Sequence, residues 1–296
     1  MADVDPTAAA GPTRAAPAVP DEEHPASAFW RRGDYAVVGD WYAEASRDVL
    51  VAADGEPLVT PGARLLDVAC GTGSVAIAAA RAGAEVVGVD VTPEMLAVAT
   101  ERALAAGVEC RFVTGSFEDL SGVGVHDVVT SAFGVMFAGD PVAVAAQVAS
   151  ATAPGGTVSV AAWHGDGAFG RPPRALLDLF PAPPPGTSGG AAADAPVDTT
   201  RWADPEQVAA FFAGTGLVLA GARTSRVLIP FPSPAAAVDS MMANAAPWVA
   251  TAEALAAAGK LDEGRAIMEN HLAARSQTTS KGIAVHADYV VTQLER

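Results

Sequence analysis

Two aspartates and two glycines are spaced as in a unit that binds a nucleotide-like ligand. Asp67 lies inside a short apolar stretch, and the loop that follows this stretch contains Gly71 and Gly73. A second apolar stretch ends at Asp90. In a strand, glycine loop, helix and strand of this kind, the glycines let the backbone approach a ligand closely. The terminal acid is placed to accept hydrogen bonds from both hydroxyls of a ribose.

The position of Asp67 discriminates between the ligands that such a unit binds. The glycine loop followed by Ala76 fits the loose pattern GxGxx(G/A), which alone matches NAD, FAD and other ligands. A dinucleotide would place its pyrophosphate over the loop, where a nearby carboxylate would repel it. S-adenosylmethionine (SAM) has no phosphate there, and a carboxylate attracts its ammonium group. We therefore favour SAM, with capping of the loop by Asp67 as the structural alternative.

The surrounding segments resemble, in order, the motifs of class I SAM-dependent methyltransferases. LLDVACGTG (65–73) is similar to motif I, and GVDVTPEML (88–96) is similar to the segment that follows it. The third, fourth and fifth strand motifs are matched by FVTGSFEDL (112–120), HDVVTSAFGVMFAGDP (126–141) and APGGTVSVAAW (153–163). The segment SAFGVMF (131–137) is most similar to the UbiE-like group (methyltransferase type 11) of small-molecule methyltransferases. The resemblance covers roughly residues 60–175 and fades after about residue 180.

The resemblance implies a set of cofactor contacts. These residues are Asp67, Gly71 and Gly73 at the methionine end, Asp90 at the ribose, Val91 and Met95 beside the adenosine, Ser116 and Phe117 at the adenine, and Ala132 through its backbone. The family often has aspartate where Ser116 stands, so stacking by Phe117 or a backbone contact takes over more of the adenine recognition here. Core packing is the alternative role for Phe117 and Met95.

The elements that must position these residues alternate between strand and helix, which predicts a parallel sheet covered by helices. We expect an α/β, Rossmann-like class I methyltransferase fold with a seven-stranded, mostly parallel sheet, an antiparallel last strand and a helical cap. Strands are predicted near 63–69, 85–90, 109–113, 126–131, 156–163, 217–231 and 283–295, and helices near 74–82, 93–106 and 141–152.

The predicted domain organisation is a tail followed by one catalytic domain. Residues 1–25 are rich in Ala, Pro and acids, so we expect them to be disordered. Residues 26–296 form the methyltransferase domain, with N-terminal lid helices at 26–55 and a helical substrate cap inserted at 234–280. A Pro/Gly/Ala linker occupies 181–200.

Methyl transfer from SAM requires alignment of the acceptor and exclusion of water, with a general base when the acceptor must lose a proton. His164 directly follows the fifth strand at its carboxyl end and is the first candidate base, and His286 near the start of the last strand is the second. We expect His126, at the start of the fourth strand, to be structural. His271 lies among the charges of a helical segment, which predicts a surface position.

The candidate acceptor-binding residues come from the aromatic N-terminal segment and from the helical insert. They are Tyr35, Tyr42, Met241 and Trp248. Aromatic faces stabilise cations, and methionine packs adaptably, so these residues suit an apolar pocket. We expect a ring-bearing or prenyl-like acceptor from secondary or quinone metabolism, with plain core packing as the alternative role of these side chains.

The composition of the chain limits the kinds of partner that it can bind. The formal net charge of −16 is unsuited to nucleic acid and to anionic lipid, and no segment predicts membrane insertion. The two cysteines belong to no metal motif and fit a cytoplasmic location, and we predict no metal site. The expected partner is a small-molecule methyl acceptor, and a homodimer is left open.

Two other functions fit the same binding unit. A non-methylating SAM-binding protein, such as a cyclase, would retain all the motifs. An NAD(P)-dependent oxidoreductase is the third hypothesis, and the lack of a Tyr-x-x-x-Lys pair argues against a short-chain dehydrogenase. The sequence identifies neither the acceptor nor whether carbon, nitrogen or oxygen is methylated.

Overall fold

The computed structural model of the protein describes residues 24–180 and 197–296. The predicted tail falls outside the described residues except for His24 and Pro25, which cap and begin the first helix. The predicted linker also falls outside them, apart from residues 197–200.

One sheet contains all the strands of the described ranges. They are β1 (Arg64–Val68), β2 (Glu85–Asp90), β3 (Arg111–Thr114), β4 (His126–Ala132), β5 (Thr152–Trp163), β6 (Val218–Phe231), β7 (Ser276–Thr279) and β8 (Gly282–Glu295). The main path runs β3-β2-β1-β4-β5-β8-β6, and β7 pairs with β8 beside this path. Strands β1 to β5 pair in parallel, whereas β8 is antiparallel to both β5 and β6. The predicted sheet is therefore confirmed for the main path, with β7 as an addition.

Helices cover both faces of this sheet. They are α1 (Pro25–Trp30), α2 (Tyr35–Trp41), α3 (Ala43–Arg47), α4 (Ser74–Arg81), α5 (Pro93–Ala106), α6 (Pro141–Ser150), α7 (Arg174–Leu177), α8 (Pro205–Phe211), α9 (Pro234–Asn244), α10 (Ala246–Ala257) and α11 (Leu261–Ala273). The side chains of Asp140 and Asp204 accept backbone N–H groups at the starts of α6 and α8, and proline occupies the first turn of each. Every helix within the described ranges is too short or too polar to cross a membrane.

The predicted helical block at 234–280 ends earlier than expected. Its helical part stops at Ala273, and Ser276–Thr279 form β7 in a tight hairpin with β8. Residues 276–279 form backbone hydrogen bonds with residues 282–285 of β8 in this hairpin. A helix that continued to residue 280 would leave this edge of β8 without a partner strand.

The central strands are buried on both faces, which makes them a rigid support. Leu65, Leu66 and Val158 have no exposed surface, because helices lie above and below them. Parallel pairing also places the carboxyl ends of β1, β2 and β4 at one edge of the sheet. The residues that follow these strands are therefore brought together at that edge.

Candidate functional site

A cavity of about 320 Å³ opens at the carboxyl ends of the parallel strands. One end, here called the acidic half, is lined by residues that follow β1 to β4, including Asp67, Cys70, Gly71, Thr72, Asp90, Val91, Met95, Phe117 and Ala132. The other end, called the aromatic half, is lined from four segments by Trp30, Tyr35, Trp41, Tyr42, Phe133, Trp163, Phe169, Arg171, Met241, Trp248, Met268 and His271. The two halves belong to one continuous cavity.

Asp90 holds the glycine loop from the end of β2. Its carboxylate accepts the backbone N–H of Gly71 at 2.9 Å and that of Thr92 at 2.9 Å. Burial raises the pKa of Asp90, and these backbone donors oppose the rise. Each carboxylate oxygen has a second lone pair, so both oxygens retain an acceptor site for a ligand hydroxyl.

Asp67 both caps a helix and faces the cavity. Its carboxylate accepts the backbone N–H of Ala76 at 3.2 Å and the hydroxyl of Thr130 at 3.1 Å. Only 1% of the residue is exposed, and burial raises the pKa of Asp67 to about 7. A cationic ligand group beside it would favour the anion and lower that pKa.

The loop after β1 adopts left-handed backbone geometry at three positions. The φ angles of Ala69, Gly71 and Gly73 are 55°, 52° and 85°. Gly73 begins α4, and a Cβ there would lie 3.1 Å from the Cβ of Ala99. Gly73 therefore permits close packing of α4 on α5. Gly73 is absent from the described cavity lining, unlike Gly71.

A stacked aromatic pair forms the floor of the aromatic half. Phe133 follows β4 with a φ of 60°, and its ring stacks on Trp163 with centroids 3.8 Å apart. Tyr42 meets both rings edge-on at 5.3 Å. A Cβ on the next residue, Gly134, would collide with the side chain of Ala69. The left-handed ends of β1 and β4 therefore pack directly against each other at the point where the two halves meet.

The N-terminal helices are fastened over the cavity through Arg102 of α5. Its guanidinium donates to the carbonyl of Ala36 at 2.9 Å and to the hydroxyl of Thr72 at 3.1 Å. It also forms an ion pair with Asp40 at 3.1 Å. One side chain therefore links α2 to the glycine loop.

His271 lines the aromatic half, so its predicted surface position is wrong. Its Nδ1 lies 3.2 Å from Nη1 of Arg275, and its Nε2 lies 3.2 Å from the carbonyl oxygen of Ala168. Arginine only donates, so Nδ1 accepts and Nε2–H donates, which fixes the neutral tautomer. Burial and the charge of Arg275 lower the pKa of His271.

Most residues predicted from the sequence meet at this cavity. Those that line it are Asp67, Gly71, Asp90, Val91, Met95, Phe117, Ala132, Tyr35, Tyr42, Met241 and Trp248. Gly73, Ser116, His164 and His286 are absent from the described lining. The Ser116 hydroxyl instead accepts the N–H of Glu118 at 3.1 Å, within its own turn.

The two histidines predicted as bases lie outside the described lining for different reasons. Trp163 at the end of β5 points into the cavity, and His164 comes next in a chain whose side chains alternate between faces. Its Nδ1 accepts the N–H of Asp166 at 3.3 Å. His286 lies opposite Leu228 of β6, and its buried Nε2 has no hydrogen-bond partner among the described residues.

Sequence reasoning missed several lining residues of the aromatic half. These are Phe133, Trp163, Phe169, Arg171 and His271. Phe133 directly follows β4, Trp163 ends β5, and Phe169 and Arg171 lie in the loop after β5. The rule that ligands bind at the carboxyl ends of parallel strands could therefore have found these four. A signal for His271 also exists: it follows Ile267 and Met268 by four and three residues, so it shares their apolar face of α11.

A protein-family model matches the part of the chain that forms the acidic half of the cavity. Residues 65–156 match the family model described as a methyltransferase domain. Residues 65–156 are therefore similar to a methyltransferase domain. The match confirms the family predicted from the motifs, and SAM as the cofactor of that domain family.

Relatives of the methyltransferase domain cover part of the chain. An uncharacterised protein of Mycobacterium tuberculosis is 39% identical over 145 residues, which is 49% of this chain and 52% of the relative. A ubiquinone biosynthesis O-methyltransferase of Xanthomonas campestris pv. campestris is 40% identical over 100 residues, 33% of this chain and 42% of that enzyme. The chain spans about half the length of the curated relatives it matches.

Among solved structures, a candidate methyltransferase from Bacillus halodurans is similar to this chain with a TM-score of 0.50 and 12% identity. The similarity covers 80% of this chain and 94% of that one. At this identity the similarity concerns the fold, and it extends the methyltransferase architecture beyond the residues of the family match.

Proposed function

We propose that the protein transfers the methyl group of SAM to a small apolar molecule that bears a ring or a prenyl-like chain. The observation that carries the proposal is the single cavity that joins the acidic half to the aromatic half. A cofactor and an acceptor placed in the two halves would meet near Phe133, without a barrier between them.

In this proposal the acidic half holds the cofactor. Asp90 would accept from the ribose hydroxyls with the lone pairs that its two backbone bonds leave free. Asp67 would face the ammonium group, and Val91, Met95 and Phe117 would enclose the adenosine. When bound, SAM supplies a methyl carbon that its sulfonium has already activated.

The aromatic half would orient the acceptor. The rings of Phe133 and Trp163 offer a flat floor, and Tyr42 closes one side edge-on. Met241 and Trp248 add apolar surface from the helical cap. Positioning of two reactants is the main contribution that a protein makes to such a displacement, and the N-terminal helices would exclude water.

Whether the proposed reaction needs a general base depends on the acceptor. An acceptor that is already nucleophilic needs no base. This case is favoured because His271, the one imidazole in the described lining, has both ring nitrogens engaged. For an acceptor that must lose a proton, His164 and His286 remain the proposed bases, and replacing each with Gln tests them through the rate of methyl transfer.

The test combines binding with product analysis. Calorimetry should show binding of SAM and S-adenosylhomocysteine, and none of NAD. Incubation with phenols, quinols and prenylated quinols should then release S-adenosylhomocysteine together with a methylated product. Conversion of an acceptor without S-adenosylhomocysteine would favour the non-methylating alternative. Binding of NAD in preference to SAM would contradict the proposal.

A further inference from the structure

We propose that the acceptor carries an anionic group, and that Arg171 binds this group at the aromatic half of the cavity. The inference rests on the proposed function, which places the acceptor in that half. It narrows the substrate class to apolar molecules with a carboxylate or a similar anion.

The charges of the lining are distributed unevenly. Its described carboxylates, Asp67 and Asp90, both lie in the acidic half and are engaged by backbone and hydroxyl donors. In the aromatic half, Arg171 is the formally charged side chain among the described residues, since His271 is neutral. An anion entering this half would therefore meet a cation and no described carboxylate of the lining. This is notable in a chain of net charge −16.

The guanidinium of Arg171 is available to a ligand. Its ion-pair partner, Asp166, lies at 3.6 Å, and the two side chains are 62% and 86% exposed. Ion pairs between side chains this exposed contribute little to stability, because water screens both charges. A ligand carboxylate that binds in a bidentate manner on the cavity side would compete well with such a pair.

The loop that carries Arg171 has a defined shape. The N–H of Arg171 donates to the carbonyl of Gly165 at 2.8 Å. The guanidinium packs over Gly165, where a Cβ would lie 2.7 Å from Nη1 of Arg171, so a larger residue at 165 would displace the guanidinium. The backbone of the loop thus directs the side chain across its own turn.

Helix α11 holds the same loop from the other side. Nε of Arg275 donates to the carbonyl of Asp166 at 3.1 Å, and His271 donates to that of Ala168 at 3.2 Å. Both contacts use backbone carbonyls, so they fix the loop without neutralising Arg171. A cation carried on a fixed loop loses less entropy when it binds an anion than one carried on a mobile loop does.

The cofactor's own carboxylate is the other anion of the proposed complex. Arg171 follows β5, whereas the glycine loop and Asp90 that would bind SAM follow β1 and β2. The main path of the sheet places β4 between β1 and β5. We therefore assign Arg171 to the acceptor, and the test below separates the two carboxylates.

The experiment uses two probes of equal shape, 2-naphthoate and 2-naphthamide, with the full chain saturated in S-adenosylhomocysteine. The wild type should bind the naphthoate at least about tenfold more tightly than the naphthamide. Arg171→Met should reduce this preference to about twofold or less while leaving the affinity for SAM within about twofold. Arg174→Met is the matched control: Arg174 is exposed, pairs with Asp178 at 2.8 Å and is absent from the described lining. This control should keep the wild-type preference.

Each other outcome has a separate meaning. Equal affinity of the wild type for both probes, or no binding of either, overturns the inference. So does an equal loss of preference in Arg174→Met. A fall in SAM affinity in Arg171→Met with an unchanged probe preference assigns Arg171 to the cofactor carboxylate instead. If the wild type fails to bind SAM but still prefers the naphthoate, the proposed function fails and the anion site stands. Arg171→Gln, with thermal melting of both variants, controls for folding.

Discussion

The acidic and aromatic halves of the cavity are built in different ways. The acidic half comes from neighbouring strand ends within residues 67–132, and its key contacts join carboxylates to backbone N–H groups. The aromatic half is assembled from four segments spread between Trp30 and His271, and its contacts are mainly ring against ring.

This difference in construction predicts which half of the cavity tolerates substitution. Hydrogen bonds between a carboxylate and two backbone amides require one residue type at one position, because an unpaired buried amide is costly. Apolar contacts tolerate exchange of one large side chain for another of similar volume. We infer that the acidic half is constrained by the shared cofactor and that the aromatic half sets the individual acceptor.

The strongest test of this separation is Asp90→Ala. The substitution leaves the N–H groups of Gly71 and Thr92 without their acceptor and removes the proposed ribose contact. Each unpaired amide costs about 1–3 kcal/mol of folding stability, so the melting temperature should fall. Loss of the two charge-assisted hydrogen bonds to the ribose should separately lower SAM affinity by about 100-fold or more. Calorimetry and thermal melting measure the two effects.

The control for Asp90→Ala is binding of 2-naphthoate to the same variant, which should change by less than about threefold. A folded variant with normal SAM affinity would show that Asp90 does not bind the cofactor. An equal loss of both ligands would show that the two halves are a single cooperative unit.

The second test acts on the aromatic half alone. Trp248 is partly buried on α10 and lines the cavity, so Trp248→Ala removes apolar contact area worth about 1–2 kcal/mol to a ligand. Naphthoate affinity, or the KM of an identified acceptor, should worsen by about tenfold, with SAM affinity unchanged. Val249→Ala on the same helix is the control, because Val249 is absent from the described lining. Loss of SAM binding in Trp248→Ala would show that Trp248 acts on the cofactor in the acidic half and not on the acceptor.

The smallest expected effect is a pH dependence of SAM binding through Asp67. Its raised pKa of about 7 means that the free protein is partly protonated there, and an ammonium ligand selects the anion. SAM affinity should therefore fall about threefold between about pH 7.5 and about pH 6.5, with proton release on binding. Asp67→Asn should flatten this dependence, and calorimetry in two buffers of different ionisation enthalpy measures the proton.

The free protein should show the opposite trend in stability. A carboxyl whose pKa is raised by folding stabilises the fold in its protonated form, so this contribution is lost as the pH rises through about 7. The contribution of Asp67 to stability is measured by comparing the melting temperatures of the wild type and Asp67→Asn as the pH rises to about 7. The wild type should melt progressively lower than Asp67→Asn as the pH rises toward about 7, and a wild type that gains on the variant over this range would contradict the sign.

The acidic half was largely predictable from the sequence. Asp67, Gly71 and Asp90 are placed by the local order of strand, loop, helix and strand, so their spacing suffices to bring them together. Ser116 and Gly73 are absent from the described lining, and Ser116 shows the limit of this reasoning. Its position in the turn is correct, but its hydroxyl bonds to the N–H of Glu118, a local competition that spacing does not reveal.

The aromatic half was only partly predictable, because tertiary packing assembles it. Tyr42 and Trp248 were expected there from their aromatic surroundings, and both line the cavity. His164 was predicted to lie at the site, whereas Trp163, the residue before it, lines the cavity, because strand alternation sends neighbouring side chains to opposite faces. His271 was assigned to the surface from the charges of its segment, although its spacing from Ile267 and Met268 places it on their apolar face.

The left-handed backbone at Ala69 and Phe133 has a consequence for engineering. Non-glycine residues in this region cost roughly 1 kcal/mol each, and glycine stabilises the fold there only where the side chain it replaces contributes little packing. Glycine at 133 would remove the ring that stacks on Trp163, whereas Ala69→Gly would remove only a methyl group. Ala69→Gly is therefore the stabilising change of the two, whereas Phe133→Gly would lose about 3–5 kcal/mol of buried ring packing, more than the strain it relieves, at two residues that pack on the same turn.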